Sequence, residues 1–439
     1  MRRTITIIAA IILAAISSWG ADLKGIRLEI NNPEGIFHSG EKAIVKASME
    51  KGGYAGALSM YVMRNGNIIL EKDIKLTARP KVIFEHECNG SCGVMVFIKS
   101  KEAKERTAGI GFVVDPEQLR QGYHCPDDFM EFWNGELSAM RAAEIVASFK
   151  EVPVKGEDSR DYVAYELEVS MHEGPAARGY VAMPRGARPG SLPIVMFFHG
   201  AGVSGKSCRS SIARAVEYAK KGNGAIAADI NAHGMLNDQP QAYYDSLERG
   251  PLKDYRVNAP RSKRDFPYRL MYLRDVRALD FLCSLPEWDG KHVLVTGSSQ
   301  GGGQSCGVAA LDSRVGALVP IVPGLSDEGA GLVRECGWTR HFRAMTDNPN
   351  VHNFYPYYDS ASFLRFTKAK MWMEVGLIDE TCAPEGIIAC FNEAACETKQ
   401  LVPCPYRRHT MSSSNNGYEL WNQTIFPARE KFIFDYLTR

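Results

Sequence analysis

Ser299 stands in a sequence pattern that turns a serine into a nucleophile. Gly297 and Gly301 flank it, two residues away on either side, which makes a Gly-x-Ser-x-Gly motif. A strand is predicted over residues 293–296, before the motif, and a helix over residues 300–311, after it. A strand, a tight turn that only small neighbours permit, and a helix form a nucleophile elbow. The pattern therefore predicts that Ser299 attacks an acyl carbon.

A serine of this kind needs a histidine base and a carboxylate, and with this elbow both follow the serine in the chain. The histidines after Ser299 are His341, His352 and His409. Asp379 lies just past a strand predicted over residues 371–375, and His409 is the only histidine after Asp379. We therefore predict that His409 takes the serine proton and that Asp379 holds the imidazole in the tautomer that does so. Two rival acids stay open: Glu380 and Asp327.

Two backbone amides are predicted to bind the oxyanion of this reaction. One belongs to Gln300, because the amide after the nucleophile faces the developing charge. The other is assigned to Ala201, in the loop His-Gly-Ala-Gly at 199–202 that follows a predicted strand. Small residues in such a loop allow the backbone to come close to a substrate. The alternative is a glycine turn with no catalytic part.

The elements that must hold these residues alternate between strand and helix from residue 118 to the end of the chain. Eight strands are predicted there, at residues 162–171, 178–183, 192–199, 225–230, 293–296, 317–322, 371–375 and 401–404. Helices are predicted at residues 129–147, 210–221, 268–285 and 300–311. This alternation is typical of a mostly parallel, doubly wound α/β sheet.

Three segments resemble a known family. Residues 297–302, Gly-Ser-Ser-Gln-Gly-Gly, are similar to the nucleophile motif of the acetyl xylan esterases and cephalosporin-C deacetylases, carbohydrate esterase family seven. Residues 126–133 resemble the N-terminal helix of that family, and residues 272–282 resemble the helix before its nucleophile strand. The resemblance covers about residues 125–439 and puts Asp379 and His409 at the family's acid and base positions.

The resemblance implies an α/β-hydrolase fold and a serine esterase that removes O-acetyl groups from carbohydrates without a cofactor or a metal. Its partner is then an acetylated oligosaccharide or polysaccharide. Three positions depart from the family: Ala201 stands where Tyr is usual, Ala-His-Gly at 232–234 replaces Arg-Gly-Gln, and Thr410 follows the histidine where Glu is common. A serine peptidase on the same fold and a non-catalytic glycan-binding protein are the alternative functions.

Residues 21–117 have a different pattern, in which short β-rich runs are separated by turns. Seven strands are predicted there, at residues 25–30, 43–49, 58–64, 67–76, 81–87, 93–100 and 107–115. Asn65 and Gly66 form a hairpin signal between two of them. Seven short strands in about a hundred residues are typical of an immunoglobulin-like β-sandwich. Its role stays open between a spacer, a partner surface and a glycan-binding accessory.

Residues 1–20 are predicted to be a signal peptide. Arg2 and Arg3 precede an apolar run at 7–16, and small residues follow at 17, 18 and 20. The run is shorter than the roughly 20 apolar residues that a membrane helix needs. We therefore expect cleavage after Gly20 and a periplasmic or secreted protein without a membrane span. The expected domains are the sandwich at 21–117 and the catalytic domain at 118–439.

Export would expose the eleven cysteines to an oxidising compartment. Cys88 and Cys92 flank a turn, and a disulfide between them and two free thiols are both open. Four cysteines lie close together near the C-terminus: Cys382, Cys390, Cys396 and Cys404. Their spacing lacks the close pairs of a zinc site, so packing or disulfides are expected.

The overall composition is that of an ordinary globular protein, with 45% hydrophobic and 23% charged residues. Since 52 basic residues nearly balance 51 acidic ones, neither nucleic acid nor an anionic membrane is an expected partner. The oligomeric state is not indicated. A long polar and aromatic segment at 235–267 is expected to be a substrate-lining lid or a solvated insertion. Its notable residues are Tyr243, Tyr244, Tyr255 and Arg256.

Overall fold

The described strands form three sheets, two in the N-terminal part and one in the rest of the chain. The structure is a computed structural model that describes Leu23 and residues 25–102, 107–256, 261–328, 353–410 and 417–438. The predicted signal peptide and the candidates His341 and His352 lie outside the described residues.

The two N-terminal sheets face each other as a sandwich. Its strands are β1 (Ile26–Ile30), β2 (Ile36–Phe37), β3 (Lys42–Met49), β4 (Leu58–Arg64), β5 (Asn67–Ile74), β6 (Lys81–Glu87), β7 (Cys92–Ser100) and β8 (Thr107–Val114). One sheet has the order β1-β3-β6 and the other β2-β8-β7-β4-β5, with the predicted hairpin joining β4 to β5. This is an immunoglobulin-like arrangement, as predicted. Strand β2 was not predicted, because two residues are too few to show an alternating pattern.

Strand β7 is buried on both faces. Val94, Val96 and Ile98 point into the core between the two sheets of the sandwich. Met95 and Phe97 point the other way and belong to a second apolar cluster, which includes Ile378 of the hydrolase part. Side chains of a strand alternate between its faces, so this double burial means that the sandwich packs against another part of the chain.

The third sheet has nine strands. Its strands are β9 (Ala147–Val152), β10 (Tyr162–Val169), β11 (Ala177–Pro184), β12 (Leu192–Phe198), β13 (Ile226–Ile230), β14 (Trp288–Ser298), β15 (Ala317–Ile321), β16 (Lys370–Gly376) and β17 (Lys399–Cys404). The order is β17-β16-β15-β14-β12-β13-β11-β10-β9. Strands β12 to β17 are parallel, whereas β9, β10 and β11 are antiparallel to their neighbours. The predicted mostly parallel α/β sheet is therefore confirmed.

The prediction of a helix over residues 129–147 was wrong at its C-terminal end. The helix ends at Ala142, and Ala147–Val152 is a strand that pairs with β10. Residues 141–144 read Arg-Ala-Ala-Glu, which favours a helix intrinsically. Edge pairing prevails beyond them, where the Phe149 ring stacks on Tyr165 with centroids 4.1 Å apart.

Helices cover both faces of this sheet. The described helices are α1 (Phe129–Ala142), α2 (Ile212–Ala219), α3 (Gln241–Arg249), α4 (Pro267–Leu282), α5 (Gln300–Leu311), α6 (Ser360–Leu364), α7 (Pro384–Glu393), α8 (Gly417–Leu420) and α9 (Phe426–Leu437). Two consecutive residues of β11, whose side chains point to opposite faces, show the two layers: Val181 joins the main core with α1, α4 and α5, and Tyr180 packs against α2. Parallel strands covered on both faces give the doubly wound architecture that was predicted.

The ten cysteines among the described residues all have free thiols, and Cys88 and Cys92 are both buried. Burial raises the pKa of the Cys88 and Cys92 thiols. Among the cysteines near the C-terminus, Cys382, Cys390 and Cys404 are buried, which agrees with a packing role. No helix of the described residues has the length and apolar character needed to cross a bilayer.

Candidate active site

The turn between β14 and α5 forces Ser299 into a strained backbone conformation. Its φ is 60° and its ψ is −126°, a region that residues with a side chain rarely adopt. The turn is fixed by the end of β15 and the loop after it, since Ser299 N donates to Ile321 O at 3.0 Å and Gly324 N donates to Ser299 O at 2.7 Å. The serine side chain is thereby held at the carboxyl edge of the sheet.

The two glycine positions of the motif have no room for a larger residue. A Cβ at Gly301 would overlap the carbonyl group of Phe198, and a Cβ at Gly297 would lie 2.5 Å from the backbone of Gly301. Strand β12, the nucleophile strand and α5 therefore approach each other more closely than any larger residue allows. This is the local structure that the Gly-x-Ser-x-Gly pattern predicted.

The three predicted triad residues lie in one hydrogen-bonded chain. His409 Nε2 is 2.9 Å from Ser299 Oγ, and His409 Nδ1 is 2.8 Å from Asp379 Oδ2. Asp379 is fully buried, Ser299 is 7% exposed, and the His409 side chain is 23% exposed. Since the carboxylate only accepts, Nδ1 carries the proton and the lone pair of Nε2 faces the serine hydroxyl. The arrangement suits a serine nucleophile with a histidine base.

Both oxygens of the Asp379 carboxylate accept hydrogen bonds. The second oxygen of Asp379, Oδ1, accepts from the amides of Thr381 and Cys382 at 2.8 and 2.9 Å. The rival acids lie elsewhere: Glu380 pairs with an arginine at the surface, and Asp327 accepts from Gly122 N at 2.7 Å. Among the three carboxylates that the sequence left open, Asp379 is the one on His409.

A buried ion pair supports the loop that carries the histidine. Arg407 pairs with Glu374 of β16, and Trp421 Nε1 also donates to Glu374 at 2.7 Å. Burial lowers the pKa of Arg407 to about 9. Arg407 O accepts from Ile378 N at 3.2 Å, which ties the histidine loop to the acid loop through the backbone. These contacts fix the two loops relative to each other.

The predicted oxyanion loop passes directly beside the nucleophile. A Cβ at Gly200 would lie 3.8 Å from Cβ of Ser299. The preceding residue, His199, is buried between two charged partners: Arg214 donates to its Nδ1 at 2.8 Å, and its Nε2 lies 2.6 Å from Asp229. Because an arginine can only donate, Nδ1 accepts and Nε2 carries the ring proton, close to the carboxylate of Asp229. The loop that carries Ala201 is therefore fixed at its start; the oxyanion role of the Ala201 amide stays a prediction.

Tyr255 joins the two loops that were predicted to supply the oxyanion donors. Its hydroxyl accepts from Gly202 N at 3.1 Å and donates to the Gln300 side chain, Oε1, at 2.7 Å. The tyrosine is 5% exposed and packs on the ring of His233, with centroids 4.3 Å apart. Burial raises its pKa above the ordinary value, so the hydroxyl is a neutral donor.

The segment 235–267 is only partly solvated over its described residues. It contains helix α3, and its residues Tyr244 and Tyr255 are buried, whereas many of its other residues are exposed. Its role as a substrate-lining lid stays a prediction. Sequence reasoning missed the bridge of Tyr255. The only signal was a tyrosine in a long insertion, and nothing in its spacing indicates a partner near residue 300.

Cys382 is a further residue of the site that the sequence did not assign. Its Sγ, one oxygen of Asp379 and one nitrogen of His409 all lie within 4.8 Å of one another. Burial raises the pKa of this thiol, the charge of Asp379 raises it further, and a hydrogen bond with Ser299 opposes the shift. These three residues could hold a metal ion, but the ion would take up the Asp379 and His409 atoms that bond in the triad. The cluster does not argue for a metal-dependent reaction.

Comparison with known proteins identifies the family of the chain. The sequence model of a family described as acetyl xylan esterase matches residues 117–422. The acetyl esterase Axe7A of Xylanibacter ruminicola is 30% identical over 321 residues, which cover 71% of this chain and 70% of the relative.

Two solved structures share the fold. An acetyl xylan esterase from Paenibacillus sp. R4 has a TM-score of 0.59 and 23% identity, covering 73% of this chain and 98% of its own. Acetyl xylan esterase 1 from Thermoanaerobacterium sp. JW/SL YS485 has a TM-score of 0.57 and 22% identity, covering 73% of this chain and 97% of its own. The chain belongs to the acetyl xylan esterase family, carboxylic-ester hydrolases with the α/β-hydrolase fold.

Proposed function

We propose that the protein removes O-acetyl groups from carbohydrate hydroxyls through a covalent acetyl-enzyme. The observation that carries the proposal is the hydrogen-bonded chain Asp379–His409–Ser299 on the elbow of an acetyl xylan esterase family member. The nearly balanced charge of the chain is compatible with a neutral polysaccharide as substrate. We also propose that the protein is exported, on the strength of the signal pattern in residues 1–20.

The first half-reaction transfers the acetyl group to the enzyme. Ser299 Oγ bonds to the carbonyl carbon while His409 Nε2 takes the hydroxyl proton, and the carbonyl oxygen becomes an oxyanion. The amides of Gln300 and Ala201 are the donors assigned to that charge. When the tetrahedral intermediate collapses, the bond to the sugar oxygen breaks and His409 gives its proton to that oxygen. The products are a free sugar hydroxyl and acetyl-Ser299.

The second half-reaction uses water in the place of the sugar. His409 Nε2 takes a proton from water as the water oxygen bonds to the acetyl carbon, and the second tetrahedral intermediate expels Ser299 Oγ, which regains the proton. Acetate leaves, and the enzyme returns to its starting state. Asp379 stays ionised throughout and stabilises the imidazolium that forms in each half.

The first test compares substrates. p-Nitrophenyl acetate, butyrate and octanoate report the size of the acyl pocket, because each further methylene gains about 0.8 kcal/mol where it fits and clashes where it does not. We expect kcat/KM to be highest for acetate, and acetate release from acetylated xylan. A steady rise toward octanoate would instead indicate a general esterase, and cleavage of a peptide anilide would favour a peptidase.

The second test replaces the nucleophile. Ser299→Ala should lower kcat by roughly 10³-fold or more while the circular dichroism spectrum stays unchanged, because the covalent route is lost. A chelator should leave the turnover of the wild type unchanged, since the serine, the histidine and the amides perform every step named above. A folded Ser299→Ala variant with near-normal turnover would reject the mechanism.

A further inference from the structure

The outer face of the N-terminal sandwich covers the loop that carries the catalytic acid. Met63, Met95 and Phe97 form an apolar cluster with Ile378, the residue immediately before Asp379. Phe97 and Ile378 are both fully buried. An isolated hydrolase part would expose Ile378 to water, so burial of this side chain under the sandwich is favourable.

Two glycines of β8 bring the sandwich backbone against the same loop. A Cβ at Gly111 would overlap the carbonyl oxygen of Leu377, and a Cβ at Gly109 would lie 3.1 Å from Cδ1 of Ile378. Neither glycine has a positive φ, so what they provide is space and not a special conformation. Because they are two residues apart in one strand, they share the face that meets the acid loop.

The same sheet also holds the loop that carries the histidine. Gly111 N donates to Pro405 O at 2.8 Å, and the guanidinium of Arg408 lies 5.0 Å from the centroid of the Phe97 ring. Arg408 is the residue immediately before His409. Strands β7 and β8 therefore contact both loops, each within a few residues of its catalytic side chain.

The sandwich also contacts the helix that follows the acid loop. Gly93 N, at the start of β7, donates to Glu385 Oε1 at 3.1 Å. Glu385 lies in the first turn of α7 and is 1% exposed. The acid loop is thus bounded by the sandwich at Ile378 before the acid and at Glu385 after it.

We propose that the sandwich is a positioning domain of the active site. It holds the acid loop and the histidine loop in their catalytic positions through Phe97, Gly109 and Gly111. The proposal rests on the proposed function only in requiring the triad of Ser299, His409 and Asp379. A displacement of about 1 Å in a reacting group can lower a rate by about 100-fold, so small movements of these two loops are enough to matter.

The test uses two neighbouring residues of β7 that point in opposite directions. Phe97→Ala removes the ring that covers Ile378 and faces Arg408. Ile98→Ala is the matched control, because Ile98 is equally buried but points into the core of the sandwich. The measurements are kcat and KM for p-nitrophenyl acetate, the rate at which a fluorophosphonate labels Ser299, and the melting temperature.

We expect Phe97→Ala to lower both kcat and the labelling rate by 10- to 100-fold, with KM changed by less than threefold. Ile98→Ala should lower the melting temperature about as much as Phe97→Ala does, and it should keep kcat within threefold of the wild type. Phe97→Leu keeps apolar cover without the ring and should recover part of the lost rate. If Phe97→Ala does not fold, Phe97→Leu is the test variant, and its kcat is expected to be about threefold to tenfold below that of the wild type.

A folded Phe97 variant that keeps the wild-type kcat would overturn the proposal. So would an Ile98→Ala variant that loses as much kcat as the Phe97 variant, because the loss would then follow from destabilisation of the sandwich in general. A wild-type protein that the fluorophosphonate does not label at Ser299 would count against the proposed function. The two failures are therefore distinguishable.

Discussion

His409 lies between two oxygen atoms of different character, and this difference decides which way the proton moves. Asp379 is buried, accepts hydrogen bonds from two backbone amides and is bonded to Nδ1 of His409, so it holds the imidazole ring in one orientation. Ser299 is the other partner and carries a proton that it can give up. The orientation of one ring thus sets the direction of the whole reaction.

Asp379→Asn tests this orientation. An asparagine can turn its amide toward Nδ1, which stabilises the tautomer whose proton sits on Nε2 and removes the base from Ser299. We expect kcat to fall by roughly 10³- to 10⁴-fold without a change in fold. Glu380→Gln is the control, because this neighbouring acid is exposed and its ion pair with Arg408 lies at the surface, where such pairs contribute about 0–1 kcal/mol; it should keep activity within about threefold. Equal losses in the two variants, measured with p-nitrophenyl acetate, would contradict the assignment of Asp379.

Tyr255→Phe tests the bridge between the two oxyanion loops. The change leaves Gly202 N and the Gln300 side chain without their shared partner, which costs about 1–3 kcal/mol and loosens the loops. We expect kcat to fall about tenfold, since one displaced oxyanion donor has at least that effect. The change should leave KM largely unaltered.

Tyr244→Phe is the matched control for that bridge. Its hydroxyl also accepts from one amide, Gln239 N at 3.1 Å, and donates to one carbonyl, Leu236 O at 2.8 Å, but these bonds join neither Gly202 nor Gln300. It should lower the melting temperature without lowering kcat. If both tyrosine variants lower kcat equally, the bridge has no specific role.

The triad residues could be predicted from the sequence because each follows a strand whose apolar run is visible. Strand order in a parallel sheet brings such loops to one edge, so Ser299, Asp379 and His409 could be predicted without knowing which distant residues are in contact. The role of Tyr255 could be predicted only with that knowledge. Its partners at residues 202 and 300 are distant in the chain, and hydrogen bonds of this kind leave no periodic pattern.

At the scale of elements, α4 and α5 are joined by a buried carboxyl group. Asp275 of α4 is fully buried and accepts from Gln304 Nε2 of α5 at 2.7 Å. Burial raises the pKa of Asp275 from 3.8 to about 8, against the opposing effects of Gln304 and Arg274. The folded protein therefore holds a proton at neutral pH that the unfolded chain has lost.

The pH dependence of stability follows from that shift. Between about pH 4 and pH 8 the folded state binds one more proton at Asp275 than the unfolded state, so this group makes stability fall as the pH rises through that window. Asp275→Asn keeps the neutral, hydrogen-bonded form at every pH. We expect the variant's gain in unfolding free energy over the wild type to grow from pH 5 to pH 8. Urea titrations at both values measure it, and a gain that does not change with pH would contradict the shift.

The strands of the large sheet were predicted well where both faces are buried, and one edge strand, β9, was missed. β12 and β15 are continuous apolar runs, and β13 is one except for Asp229. β9 has no fully buried residue, and its sequence, Ala-Ser-Phe-Lys-Glu-Val, shows no strand pattern of its own. Such an edge strand forms because β10 offers it a free row of backbone groups, and that is a property of the neighbour.

At the scale of the whole molecule, the sandwich and the hydrolase share apolar cores. Val113 of β8 belongs to the main core of the hydrolase, and Tyr406 of the histidine loop packs against the core of the sandwich. One signal in the sequence indicated this packing, namely the unbroken run Val-Met-Val-Phe-Ile at residues 94–98, which is buried on both faces. It could not indicate which part of the chain supplies the cover.

Shared cores predict cooperative unfolding. We expect calorimetry of the wild type to give a single transition, because opening either part exposes apolar surface of the other. Phe97→Ala should broaden or split that transition, whereas Ile98→Ala should shift it to lower temperature as one peak. Two resolved transitions in the wild type would show that the parts unfold independently, with the contact between them contributing little.

The double burial of β7 also has a consequence for how the chain is made. The strand leaves the ribosome about 280 residues before Ile378, the residue that covers Phe97 in the finished protein. At roughly 5–20 residues per second, the outward-facing side chains of β7 wait between about 15 and 55 seconds for their partner. During that interval a completed sandwich would expose the apolar outer face of β7, so we expect newly made chains to be prone to aggregation until the last loops of the hydrolase arrive.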